Sequence, residues 1–456
     1  MKSQRIFMML CMLVAAVLMP LAVSATEPVH EYALPNGLKV FIIEDRKAPL
    51  ATFQIWYRVG SIDEPAGKTG ISHLLEHMMF KGTPKYGSKV FSNIIQRNGG
   101  SDNAFTTKDY TMYFQTIASD RIGIPIALEA DRMKNLLLDP KETVSERDVV
   151  MEERRMRYDN EPQSQLYEDV LAIAFKAHPY RNPVIGWMSD IRHISRDDLS
   201  AHYRRYYAPD NAFIFVSGDV DPKKIMEEIR REFGPIPAFG KRLAKTITEE
   251  PMQSGQRRVV LKKEAEVPYV MIAFPVPSLP HEDSYALEVL SAILSDGKSS
   301  RLYRSLVYEQ RVAIESSANY SGLHRSPYLF FLDAVAAPGK DGAAVEAALF
   351  AEIDRIQREA PSAREVEKVK NRIEAMFVFA QDSNYSRALY CGMFEIIGGW
   401  RLLDSYLEGV RSVTPEMVQK AARKYLIADK STVGTLDPLE KKSGKQEVSS
   451  QKQGVR

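Results

Sequence analysis

Two stretches of this chain, one on each side of residues 236–257, run through a similar order of extended and helical elements, and this recurrence limits its fold more than any other feature. In the first stretch, short extended segments flank a turn at Pro35-Asn36-Gly37, and a further strand covers Ala51 to Val59. Helical periodicity follows at about 68–80 and 88–98, strands return across Ser101 to Ala118, and helices are expected near 120–136, 141–157, 163–176 and 196–207. The apolar run Asn211 to Gly218 reads as a strand before a helix at about 222–233. Residues 236–257 mix prolines, glycines and charges without periodicity and read as a linker. Beyond them come strands at Arg257 to Lys262 and Tyr269 to Phe274, helices at 282–295 and 299–308, and strands across 313–336. Helices at about 341–358, 363–380, 384–396 and 415–425 and a strand at Ser431 to Thr435 close the unit. Grouped strands and grouped helices make the class α+β. The expectation is two structurally similar halves of about 200 residues, 26–235 and 258–438, each a mixed or antiparallel sheet with helices packed on it.

Residues 1–25 read as a removed signal peptide: Lys2 and Arg5 precede an apolar run from Ile6 to Leu21 that ends in the small-residue spacing Val23-Ser24-Ala25. The implied location is secreted across the inner membrane into the periplasm. An uncleaved membrane anchor is the alternative, against which the run is short for a bilayer span. With Cys11 in that leader, Cys391 is the single remaining cysteine, so no intramolecular disulfide can form. Lys2 and Arg5 also account for the excess of 61 basic over 59 acidic residues, leaving the mature chain formally neutral. That balance supplies no general attraction for nucleic acid. The tail 439–456, rich in Lys, Ser, Gln and Gly, is expected to be disordered.

The sharpest local signal is Gly70-Ile-Ser-His73-Leu-Leu-Glu76-His77-Met-Met-Phe80. Residues four apart share a helix face, so His73 and His77 can aim both imidazoles at one point, with Glu76 nearby as a general base. The order His-x-x-Glu-His is the inverse of the commoner metallopeptidase motif. A polar face on a surface helix is the bland reading, but Leu74, Leu75, Met78 and Met79 surround the trio and mark the helix as buried.

A catalytic zinc takes three protein ligands and keeps a fourth position open, so another acid or histidine is required. Val149, Val150 and Met156 outline an apolar stripe on a helix over 141–157, with Glu146 and Glu153 near its centre and Glu152 about 100° from Glu153. On that pattern Glu146 and Glu153 are the functional acids and Glu152 is solvated. The competing reading is a helix whose acids merely pair with Arg147, Arg154 and Arg155.

The His73-to-His77 motif, the Glu146-to-Glu153 helix, Leu34-Pro-Asn-Gly-Leu38, His178-Pro-Tyr180 and the duplicated layout resemble the pitrilysin/insulinase family of zinc peptidases. More narrowly, the chain resembles the short bacterial members related to mitochondrial processing peptidase. The resemblance implies one Zn2+ per chain held by His73, His77 and Glu153, with Glu146 behind the ligands and Glu76 activating the water on the metal. It implies two halves closing as a shell, hydrolysis of peptides or unfolded polypeptides, and an edge strand at Asn103-Ala104 that binds extended substrate.

In that family the second half supplies an Arg and a Tyr that approach the reacting carbonyl. Tyr328 matches the tyrosine, and a plain strand residue is the equal alternative. The arginine is not located: the position seven residues earlier is Ser321, and Arg325 stands three before. A homodimer, or a heterodimer with a related subunit that brings the Arg/Tyr pair, therefore stays open. So do two other classes, a non-catalytic assembly subunit and a peptide-binding chaperone. His178, His193, His202, His281 and His324 lack ligand spacing and read as structural or solvated.

Overall fold

The computed structural model describes residues 28–240 and 247–439. The expected leader, part of the linker and nearly all of the expected tail lie outside the described residues.

The first half is built on a six-stranded sheet. In chain order its elements are β1 (Val29–Ala33), β2 (Lys39–Glu44), β3 (Leu50–Tyr57), α1 (Ile71–Met79), α2 (Val90–Arg97), β4 (Ser101–Thr106) and β5 (Thr111–Ala118). Then follow α3 (Gly123–Asn135), α4 (Pro140–Arg154), α5 (Pro162–Ala174), α6 (Met188–His193), α7 (Arg196–Tyr206), β6 (Ala212–Gly218) and α8 (Pro222–Phe233). The strands lie in the order β1-β2-β6-β3-β5-β4, antiparallel except for the parallel pair of β2 and β6. Every residue of β6 is buried, as its unbroken apolar run requires of a strand covered on both faces.

The second half has five strands: β7 (Arg257–Glu264), β8 (Tyr269–Val276), β9 (Ala313–Asn319), β10 (Tyr328–Ala336) and β11 (Thr432–Leu439), ordered β7-β11-β8-β10-β9. Only β7 and β11 run parallel. Its helices are α9 (Asp283–Ser295), α10 (Gly342–Arg358), α11 (Ala363–Ala380), α12 (Asn384–Ile397), α13 (Leu402–Ser412) and α14 (Pro415–Tyr425). Where a helix was expected at 299–308, the chain forms a π-helical turn over Tyr303–Glu309. The mixed α+β duplication is thus present, with β7 and β11 extending one residue beyond each limit expected for the second half.

Side chains alternate across each strand, so each sheet has two faces to cover. In the first sheet, Val40, Ile42, Phe53, Ile55, Ile214 and Val216 join a core with that half's own helices. Phe41, Ile43, Trp56, Phe213 and Phe215 point the other way and are covered by Ala388 and Cys391 of α12, a helix of the second half. The second sheet mirrors this arrangement. Its residues Val270, Ile272, Phe274, Phe330 and Leu332 pack on its own helices, whereas Met271, Ala273, Leu329 and Phe331 receive Leu166, Val170 and Leu171 of α5 from the first half.

The two halves therefore exchange one helix each. Both exchanges are close at a glycine. A Cβ on Gly392 of α12 would sit 2.2 Å from the Trp56 ring, and one on Gly434 of β11 would sit 2.3 Å from Val170.

Candidate metal centre

Helix α1 starts at Gly70, whose φ of 87° favours glycine. Its exposed amides are met from a distance: the Glu64 carboxylate accepts from the N–H of Gly70 and of Ser72, both at 2.8 Å. Leu74, Leu75, Met78 and Met79 are all buried and fix the rotation of the helix, as the sequence indicated. This leaves His73 and His77 one turn apart on the remaining face, ring centroids 4.8 Å from each other.

Helix α4 begins with Asp139 accepting from the N–H of Lys141 and Glu142, and with Pro140 as its first residue. The acids it carries do not lie in an apolar stripe. Val150 is buried, but Val149 is 46 % and Met156 63 % exposed. The buried face consists of Thr143, Glu146, Val150 and Arg154; at about 100° per residue Val149 and Met156 fall together about 100° or more from Val150, on the solvent side, and the helix ends in a π-helical turn over Arg155–Asp159. Glu152 is exposed and pairs with Arg155.

The two helices face each other, and ligating atoms of His73, His77 and Glu153 all lie within 4.8 Å of one another. Glu153 Oε2 is 3.8 Å from His73 Nε2 and 3.5 Å from His77 Nε2. Its other oxygen, Oε1, takes an ion pair from Arg157 at 2.9 Å, an arginine outside the set expected from the sequence. Glu146 stands behind the trio: Oε2 is 3.2 Å from His77 Nδ1, and Oε1 meets Lys81 Nζ at 2.5 Å. Lys81 lies just past the end of α1, where the helical spacing of the motif gives no reason to single it out.

Glu76, on the same helix, is outside that clustered set and is 9 % exposed. Thr106 Oγ1 donates to its Oε2 at 2.6 Å. Burial raises the Glu76 carboxyl above its ordinary range, and the Thr106 hydrogen bond pulls it part of the way back. Burial works against a charge on His77, but its neighbours Glu146, Glu153 and Glu76 overcome it and push the imidazole up to about 9. Burial and His77 hold His73 below its ordinary value. The acids thus favour one positive charge among the ligands, and a divalent cation can take the place of that proton.

Asn103 and Ala104 lie on β4, the edge strand of the first sheet, whose last residue is the Thr106 that holds Glu76. Asn103 is exposed and its Oδ1 accepts from the Ala104 N–H at 2.9 Å.

Tyr328 and Arg325 are elsewhere. Tyr328, 7 % exposed, stacks near Phe175 and His324 and shares a hydrogen bond with the Tyr167 hydroxyl at 3.0 Å. Arg325 pairs through Nη1 with Asp63 at 3.2 Å. Both join the two halves, and among the described residues no hydrogen bond, ion pair or ring contact links either one to His73, His77 or Glu153. His324, read as structural or solvated, contacts Asp109 at 3.3 Å in the same junction.

A family model described as insulinase (peptidase family M16) matches residues 39–187, and one described as the peptidase M16 inactive domain matches 193–373. The zinc protease PqqE of Helicobacter pylori is 31 % identical over 415 residues, spanning 90 % of this chain and 93 % of that protein. The chain belongs to the insulinase family. A crystal structure of a protease from Helicobacter pylori has the same fold, with a TM-score of 0.88 at 30 % identity over 91 % of this chain and all of that one. A probable mitochondrial-processing peptidase subunit beta of Arabidopsis thaliana is 24 % identical over 89 % of this chain and 78 % of its own length. The insulinase match spans both ligand-bearing helices, and the inactive-domain match begins at His193, beyond them.

Proposed function

We propose that this protein is a zinc-dependent endopeptidase acting on peptides or unfolded polypeptides. The observation that carries the reading is the convergence of His73, His77 and Glu153 from two helices, with the Glu76 carboxylate beside them and outside the set. Tetrahedral zinc with bonds of about 2.0–2.1 Å needs ligand atoms roughly 3.3 Å apart. The separations of 3.5 and 3.8 Å from Glu153 to the two imidazoles suit that requirement with small shifts. Two imidazoles and one carboxylate are also the donor set of hydrolytic zinc sites.

A zinc ion held there supplies Lewis acidity, which lowers the pKa of water and polarises a carbonyl. The remaining work falls to the protein. Glu146 fixes the His77 ring through Nδ1, so that Nε2 faces Glu153. Glu76, held at Oε2 by Thr106, is the group placed to take a proton from the attacking water and return it to the departing amine. Strand β4 offers its unpaired edge to an extended peptide through main-chain hydrogen bonds, which demand little of the substrate's sequence.

A second reading is favoured by Tyr328 and Arg325 being engaged between the halves: a second copy or a related subunit contributes the groups that stabilise the oxyanion. For location, no described helix is long and apolar enough to cross a membrane, and the leader-like residues 1–25 support export to the periplasm.

The test is zinc content together with turnover of a quenched fluorescent peptide library, for the mature chain and for Glu76→Gln. Stoichiometric zinc in both, with turnover only in the parent, supports a self-sufficient peptidase. Zinc without turnover in either favours the partner-dependent reading, and a chain that takes up no zinc removes both.

A further inference from the structure

The three ligands come from two separate helices, so affinity for a metal depends on how rigidly α1 and α4 are held together. The residue after Glu153 connects them through the Gly186 segment. Arg154 is 5 % exposed and forks onto Glu168 of α5 through Nη1 and Nη2 at 2.8 and 2.7 Å. Its Nη1 also donates to the Gly186 carbonyl at 2.8 Å, and its guanidinium lies near the rings of Tyr158 and Trp187.

Gly186 in turn lies against the start of α1. A Cβ on Gly186 would be 2.3 Å from the Thr69 oxygen, and one on Gly70 would be 2.3 Å from the Ile185 oxygen. Backbone packed this closely moves as a unit. On its far side α5, which carries Glu168, is the helix lent to the second sheet, where Val170 meets Gly434.

We infer that Arg154 is a positioning residue of the metal centre: it clamps the helix presenting Glu153 to the start of the helix presenting His73 and His77, and through Glu168 it makes metal affinity depend on the seating of α5 against the second half. Arg154 touches none of the ligand atoms in this role. A half without ligands then takes part in metal binding through packing. The inference rests on the proposed metal site, and the measurement separates the two.

Zinc dissociation constants are measured by competition with a chelating dye for the full mature chain and for Glu168→Gln, Arg154→Lys and Gly434→Ala, beside near-ultraviolet circular dichroism and melting of the metal-free forms. The expected result is a ten- to hundredfold weaker zinc affinity in folded Glu168→Gln, the range seen when a group orienting a ligand is removed. Arg154→Lys, which keeps the charge but not the fork, falls between the parent and that variant. Gly434→Ala weakens zinc in the same direction although it lies in the half without ligands. Folded variants within twofold of the parent overturn the inference while leaving the metal site standing. If Glu168→Gln does not fold, Gly434→Ala and Arg154→Lys decide by the same criterion. A parent chain that binds no zinc overturns the metal reading and the inference together.

Discussion

Thr106, the last residue of the edge strand β4, donates its hydroxyl to Glu76 across 2.6 Å, so the strand proposed to bind substrate and the proposed base are one hydrogen bond apart. Removing that bond with Thr106→Val leaves the buried carboxylate without a donor that favours its ionised form. Glu76 then protonates at higher pH. The acid limb of the pH profile of kcat/KM is expected to move upward, with little change on the alkaline side. An unmoved acid limb would show that this hydroxyl does not tune the base.

Glu146 orients His77 and also pairs with Lys81. Glu146→Gln should keep the fold and retain some activity at saturating zinc, while zinc is stripped about 10–100 times more easily by a chelator. Dialysis against graded chelator concentrations reads this directly, and a curve overlying that of the parent would remove Glu146 from the site.

Gly392 leaves no room for a methyl group above Trp56. Gly392→Ala forces either the ring or α12 to move, a kind of overpacking that costs about 1–3 kcal/mol. Thermal melting should drop by several degrees. Wild-type stability in this variant would mean that the exchanged helix is seated more loosely than its contacts indicate.

Glu365 illustrates acid sensitivity away from the site. It caps α11 through Ser362 and pairs with Arg301 through both oxygens. Burial opposes its charge, but Arg301 and Ser362 hold the carboxyl down to about 2. Because the folded value lies below the unfolded one, this contribution is complete above about pH 4.5 and is lost as pH falls from there towards 2. Glu365→Gln should therefore flatten the fall of melting temperature across that window, and an unchanged slope there would contradict the assignment.

The parts of the candidate site legible in the sequence are those governed by helix geometry. His73, Glu76 and His77 need only the four-residue repeat and buried neighbours, both of which are local. Glu153 and Glu146 were found from a stripe that does not exist: Val149 and Met156 face solvent, and the acids share a face because seven residues make nearly two turns. Thr106 carried no local signal, since only the pairing of β4 with β5 brings it beneath α1. Among the elements, Met188–His193 is too short for periodicity to register. The sequence reading predicts no helix at Leu402–Ser412 either, although Leu402, Tyr406 and Val410 recur every four residues. Arg325 and Tyr328 show the limit most plainly. An apolar strand pattern says that a face is buried, not which half of the chain buries it, and the exchange of α5 and α12 sends Tyr328 into the junction.

That exchange has a consequence in time. The last strand of the first sheet ends at Gly218, yet α12, which covers the face of Phe41, Trp56, Phe213 and Phe215, begins only at Asn384. At synthesis rates of ~5–20 residues per second, the intervening stretch of roughly 160 residues takes on the order of 10–30 s to emerge. Throughout that interval the nascent first half presents an aromatic surface to whatever surrounds it. Its risk of sticking to other chains is therefore set by the arrival of the half that brings no ligand to the metal.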